Sequence, residues 1–226
     1  MHLYERAIRS FNQQLSLTAA SYADLDRLAQ TAPDGIVAVG MGGSGLVGDL
    51  LRYLARYARI PVPVISWKDF DIPRPLPFKR PLYLVISFSG NTAETRDAFA
   101  KIRRLRPAAR VAVVASGGAI AADAARLRIP RATFSSAGLV PRQAAGIMLY
   151  AALGILKAIW PAARVPDLRA TIDPARIAPA GRALAVRLAG KTILVYATGA
   201  AGALGYHWKT KLNETAKAPA FSNVIP

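Results

Sequence analysis

The chain has 226 residues, 53% of them hydrophobic and 19% charged, enough to bury a real core and too few for more than two ordinary domains. It contains no cysteine, which excludes disulfide frameworks, thiolate zinc sites and cysteine nucleophiles and fits a reducing cytoplasm. A net charge of +17 would ordinarily raise nucleic acid or an anionic membrane as partners, but Arg52, Arg56, Arg59, Arg103, Arg104, Arg106 and Arg110 are spread among Ala and Leu as on solvated helix faces, so neither partner is expected.

Residues 1–14 carry Glu5, Arg6 and Arg9 without the apolar core of a signal peptide. Hydrophobic periodicity predicts a helix over 1–28, broken at Ala32-Pro33-Asp34-Gly35. The short apolar run 36–39 ends in glycines, as a strand buried on both faces of a parallel sheet does. A helix over 46–58, a strand over 62–67, a strand over 82–86, a helix over 92–105 and a strand over 111–114 continue the alternation. A helix over 119–127 and a short strand at 132–134 complete it. The apolar stretch 143–160 reads as a covering helix; its longest apolar run, 144–156, is too short to span a bilayer. Pro161, Pro166, Pro174 and Pro179 punctuate a connection with one helix. A strand over 192–197, a glycine turn at 199–202 and a helix over 204–216 then restart the pattern.

The expected fold is α/β, a doubly wound five-stranded parallel sheet followed by the start of a second αβ unit. The expected division is 1–160, a connection over 161–188, and an incomplete second domain over 189–226. Leu204, Trp208 and Leu212 form one stripe of the last helix, which with one strand and no more must lie on the first domain, on a partner or in water.

Two strand-to-helix turns carry the chemical signal. Gly40-Met41-Gly42-Gly43-Ser44-Gly45 places backbone N–H groups and a helix N-terminus where an anion is favoured. Taken literally, Gly40, Gly42 and Gly45 also fit the dinucleotide pattern, with Asp69 as a ribose ligand. The second turn, Ser87-Phe88-Ser89-Gly90-Asn91-Thr92, is dense in hydroxyls that such a fold does not require. Together the turns point to a small-anion site using Gly43, Ser44, Ser87, Ser89 and Thr92, set against the plainer roles of tight packing and helix capping. Gly190-Lys191-Thr192 precedes its strand and lacks the upstream glycine of a P-loop.

The segments VGMGGSG and SFSGNTAET resemble the sugar isomerase (SIS) domain, a phosphosugar-binding fold. Pro141-Arg142-Gln143, the restart at Ile193 and Lys211-Leu212-Asn213-Glu214-Thr215-Ala216-Lys217 are similar to the bifunctional phosphoglucose/phosphomannose isomerase family. The resemblance implies aldose-ketose isomerisation of hexose 6-phosphates through an enediolate, with Glu214 as catalytic base and Arg142 facing the reacting carbons. It makes the serines and threonine of the turns phosphate ligands. It also implies a homodimer and no cofactor. The family continues past this point with a ring-opening histidine; His2 and His207 do not occupy that motif and are expected at the surface. The chain is therefore expected to bind hexose 6-phosphates and to isomerise them feebly or not at all. A non-catalytic phosphosugar-binding or sensing module is the alternative, and a dinucleotide-binding oxidoreductase a third. No metal is implied, since two separated histidines offer no ligand cluster. A carboxylate must move a proton between neighbouring carbons in this chemistry, and burial would raise its pKa while nearby lysines oppose the rise.

Overall fold

The computed structural model describes residues 3–28, 32–105, 110–136 and 138–225. Two compact units divide the chain, Met1–Thr171 and Ile172–Pro226.

The first 28 residues are not the single helix that periodicity predicts. Helix α1 covers only Leu3–Arg9, 3₁₀ turns follow at Phe11–Gln14 and Leu17–Ala19, strand β1 is Ser21–Ala23, and another 3₁₀ turn is Leu25–Leu28. Tertiary bonds outweigh a weak helical preference here. Ser16 Oγ accepts the Thr18 N–H at 3.3 Å and donates to Asp167 at 3.0 Å, while Tyr22 Oη donates to Leu17 O at 3.1 Å.

The alternation expected beyond residue 34 is present. Strands β2 (Gly35–Val39), β3 (Val64–Trp67), β4 (Pro81–Ser87), β5 (Arg110–Ala115) and β6 (Arg131–Thr133) run parallel. The antiparallel edge strand β1 is added to them, giving the order β1-β6-β5-β4-β2-β3. Asp24, just past β1, pairs with Arg131 and, at 3.2 Å, with Arg128. Burial pushes its carboxyl up, but the two guanidiniums prevail and hold it below the usual carboxylate range.

Helices α2 (Gly42–Leu54) and α5 (Ala145–Ile159) cover one face of the sheet. Helices α3 (Ala93–Ile102) and α4 (Gly118–Arg126) cover the other. Strand side chains alternate accordingly: Ile36, Ala38, Leu82, Leu84 and Ile86 join the first core, and Val37, Val39, Tyr83 and Val85 the second. Both sets must be apolar, which is why these strands read as continuous hydrophobic runs. Each fully buried aliphatic side chain contributes roughly 1.5–3 kcal/mol against exposure. The long apolar stretch has the same cause, with Met148, Ile155 and Leu156 of α5 at 0% exposure.

The chain leaves β2 for β3 on one side and returns as β4 on the other, so the strand order reverses between β2 and β4. At such a switch point a crevice opens beyond the carboxyl ends of the strands.

The stretch 161–188 divides between the units. Arg164 N–H donates to Ala58 O at 2.9 Å and Tyr150 Oη to Pro166 O at 2.8 Å, which fastens its first part to the first unit. Helix α6 (Pro174–Leu188) opens the second, capped by Asp173, whose carboxylate accepts the Ala175 N–H at 2.9 Å. Strand β7 (Ile193–Thr198), helix α7 (Gly202–Glu214) and strand β8 (Ala220–Ile225) follow. The expectation of one strand and one helix therefore needs correction. β8 runs parallel to β7 from Ile193↔Ala220 to Thr198↔Ile225, and its sequence hid it because Ser222 and Asn223 interrupt the apolar pattern. Helix α7 packs on the face carrying Val195 and Ala197, where a Cβ on Gly205 would lie 2.9 Å from the Ala197 Cβ. On the other face Leu194, Tyr196 and Phe221 are exposed, as are Leu204 and Trp208 of the α7 stripe.

Candidate functional site

Because β2 and β4 are hydrogen-bonded neighbours, the two turns that follow them meet at the switch point. Ser44 is the link. Its side chain is buried, its Oγ accepts the Phe88 N–H at 3.0 Å, and it donates to Met148 Sδ at 3.6 Å. The first turn is thereby tied both to the second turn and to α5. Glycine is demanded where backbones crowd: a Cβ on Gly40 would stand 2.7 Å from Ile86 O, and one on Gly45 2.5 Å from Gly40 O. Strand-to-helix packing thus accounts for two of the three glycines that fit the dinucleotide pattern. Asp69, the ribose candidate, is exposed and accepts the Phe70 N–H at 2.7 Å.

In the second turn Ser87 is 1% exposed and its Oγ accepts the Gly90 N–H at 3.0 Å. Ser89 is exposed and accepts the Asn91 N–H at 3.2 Å. A hydroxyl that accepts from the backbone keeps its own hydrogen to donate, so the Ser87 and Ser89 oxygens are held by N–H groups without losing donor capacity, while Ser44 spends its hydrogen on the weak bond to Met148 Sδ. Thr92 is the N-cap of α3 but makes no side-chain capping bond. Capping therefore does not explain that hydroxyl. Helices α2 and α3 both begin at this edge, and their first N–H groups have no intrahelical acceptors.

A third turn, absent from the sequence expectations, holds the second in place. Gly90 has φ +67°, and a Cβ there would fall 1.9 Å from Gly117 O. Ser116 N–H donates to Phe88 O at 3.1 Å, Ile120 N–H to Gly90 O at 3.0 Å, and Ala119 N–H to Asn91 Oδ1 at 2.9 Å. The signal was present in Ser116-Gly117-Gly118, another hydroxyl and two glycines directly after a strand.

Arg142 lies in the 3₁₀ turn Pro141–Gln143. A Cβ on Gly43 would lie 3.2 Å from Pro141 O and 3.4 Å from Arg142 N, so that turn rests directly on the first glycine turn. The first unit thus brings Gly43, Ser44, Ser87, Ser89, Thr92 and Arg142 to one edge. Glu214 belongs to the second unit. It is the last residue of α7 and is exposed, in contrast to the buried carboxylate considered above. Its neighbour Asn213 accepts the Ala220 N–H at 2.9 Å, and Ala218 N–H donates to Leu212 O at 3.1 Å. These bonds close the helix and lead the chain into β8.

His207 is not the surface residue expected. It is half-buried, burial and then the Lys211 charge lower its pKa to about 4, and its buried Nδ1 has no hydrogen-bond partner among the described residues. His2 lies outside the described residues. Among the described residues no group of three or more His, Cys, Asp or Glu is placed to hold a metal, and no helix is long and apolar enough to cross a membrane.

Comparison with known proteins gives a consistent result. Residues 178–226 match the family model of the bacterial phospho-glucose isomerase C-terminal SIS domain. The bifunctional phosphoglucose/phosphomannose isomerase of Aquifex aeolicus is 29% identical over 201 residues, and that of Caldicellulosiruptor bescii 30% over 208. Each alignment covers 85% of this chain and 59% of the relative, so the chain spans about three fifths of the length of these relatives. Among solved structures, the C-terminal domain of glucosamine-fructose-6-phosphate aminotransferase from Francisella tularensis matches with a TM-score of 0.64 at 16% identity, covering 99% of this chain and 70% of that one. Tagatose-6-phosphate ketose/aldose isomerase from Escherichia coli matches at 0.61 and 18%, covering 99% and 67%. The chain therefore shares the α/β fold of these solved structures, and its sequence is similar to the bifunctional phosphoglucose/phosphomannose isomerases, with its last part similar to their C-terminal SIS domain.

Proposed function

We propose that the chain binds hexose 6-phosphates and takes part in their aldose-ketose isomerisation, glucose or mannose 6-phosphate to fructose 6-phosphate. The observation that carries this reading is the meeting of two hydroxyl-rich turns at the switch point, tied by Ser44 to Phe88 and abutted by the Arg142 turn. The phosphate lies among the hydroxyls of Ser44, Ser87, Ser89 and Thr92 and the amides beginning at Gly43, a donor set for an anion that needs no basic side chain. Holding the phosphate fixes the sugar, and that binding energy positions the reacting carbons.

Glu214 then takes a proton from the carbon beside the carbonyl and returns it to the former carbonyl carbon. The intervening enediolate carries negative charge on oxygen, which the Arg142 guanidinium stabilises as a permanent cation with a planar donor fork. The relationship to the isomerases supports these roles and a homodimer, and the lack of cysteine favours the cytoplasm. A non-catalytic phosphosugar-binding role is the second reading, favoured by the exposure of Glu214.

Two measurements separate the readings. Titration calorimetry with fructose 6-phosphate tests binding, and a coupled assay of its conversion to glucose 6-phosphate tests turnover. Turnover abolished by Glu214→Gln with binding retained supports the isomerase. Binding without turnover in the unsubstituted chain supports the binding module, and NAD binding without sugar-phosphate binding defeats both.

A further inference from the structure

We propose that Gln14 is a positioning residue for Arg142. This rests on the reading of Arg142 given above. Gln14 ends a 3₁₀ turn far from the site in sequence, yet it is 5% exposed and both ends of its amide are bonded at the start of α5. Its Nε2 donates to Gln143 O at 3.0 Å and its Oε1 accepts the Ile147 N–H at 3.2 Å. The two bonds need opposite polarities, since a carbonyl only accepts and an N–H only donates; an amide supplies both from one planar group.

The seat is shaped for this side chain. A Cβ on Gly146 would stand 3.0 Å from Gln14 Cβ and 3.1 Å from its Oε1, so the glycine leaves the room that the glutamine fills. Gln143 is in turn fixed at both ends, its backbone carbonyl by Gln14 and its own Oε1 by the Val140 N–H at 3.1 Å. Arg142 lies between these anchors, on the turn that rests on Gly43. Gln14 therefore sets where the turn carrying Arg142 sits against Gly43, and through it the N-terminal segment supports the proposed site.

The isosteric substitution Gln14→Glu tests this. An ionised carboxylate still accepts from Ile147 but faces the Gln143 carbonyl with a second acceptor, and the turn must shift. Dissociation constants for fructose 6-phosphate and for inorganic phosphate are measured in wild type, Gln14→Glu, Arg142→Met and the double variant. Gln14→Glu is expected to weaken fructose 6-phosphate by about tenfold to a hundredfold, the scale of a small misplacement, and to leave inorganic phosphate unchanged. The double variant is expected to bind no more weakly than Arg142→Met alone. Lowering the pH should shrink the loss relative to wild type, because a protonated acid donates and accepts as the amide does.

Equal weakening of both ligands, independent effects in the double variant, or an unchanged fructose 6-phosphate constant overturns the proposal. If Arg142→Met is itself without effect, the reading of Arg142 fails and the proposal with it; if only Gln14→Glu is without effect, the proposal alone fails. Should Gln14→Glu not fold, Gln14→Met fills the same seat without charge and is held to the same outcomes apart from the pH recovery.

Discussion

Ser44 and Ser89 stand in the same proposed phosphate site, yet the structure gives their hydroxyls different second roles, and alanine substitutions separate them. Ser44→Ala removes the acceptor for the Phe88 N–H at 3.0 Å and the weak bond to Met148 Sδ at 3.6 Å. An orphaned, poorly solvated N–H costs about 1–3 kcal/mol, and the sulfur contact adds little, so the loss is about 2 kcal/mol. In a unit of this size that corresponds to a fall in Tm of about 4–8 °C. Ser89 is exposed and its oxygen accepts the nearby Asn91 N–H, where water can substitute, so Ser89→Ala changes stability by roughly 0.5 kcal/mol or less. Both variants should weaken fructose 6-phosphate. Urea unfolding with calorimetric titration reads the two quantities independently. Equal stability of Ser44→Ala and wild type would refute the view that this hydroxyl ties the turns together.

Further outcomes follow from the same geometry. Gly90→Ala combines a left-handed φ of +67° with a clash at 1.9 Å against Gly117 O, so it should cost more than about 2 kcal/mol and abolish sugar-phosphate binding; urea unfolding within 1 kcal/mol of wild type would contradict this, taking about 1.4 kcal/mol as a tenfold change. His207, with its pKa lowered to about 4, is neutral when folded and protonates more readily when unfolded. The stability it contributes is therefore present above its ordinary pKa and is lost as pH falls toward 4, at no more than about 1.4 kcal/mol per pH unit. A resonance assigned to the His207 imidazole and titrating near pH 6.5 would disprove the burial. Asp24→Asn should loosen β1, seen as faster amide exchange at Tyr22 and Ala23. Because Arg131 and Arg128 lower the Asp24 pKa, wild type keeps this clamp above the ordinary Asp range and loses it as pH falls below.

What was legible in the sequence was whatever local chemistry determines. The strands from 35 onward had to be apolar on both faces, and Gly40, Gly45 and Gly90 had to be glycine where carbonyls come within van der Waals distance. Pairs separated by long stretches of chain were not legible. Gln14 meets Gln143 across 129 residues, and no periodicity records it. The segment 1–28 misled for a related reason: Ser16 and Tyr22 bond to Asp167 and Tyr150 far along the chain, so the helical pattern yields to tertiary partners. β8 escaped because a two-stranded unit has no second buried face to enforce an apolar run. The hydroxyls at 87, 89 and 92 were visible as a cluster, but only the pairing of β2 with β4 explains why they meet Ser44.

The central claim is that the turns after β2 and β4 hold a sugar phosphate, and an amide NMR titration of the isotopically labelled chain tests it most directly. Added fructose 6-phosphate should move the resonances of Gly42, Gly43 and Ser44 and of residues 87–92 together, saturating with one dissociation constant, while NAD moves none of them. Shifts confined to other residues, or NAD shifting the first turn where fructose 6-phosphate does not, would contradict it.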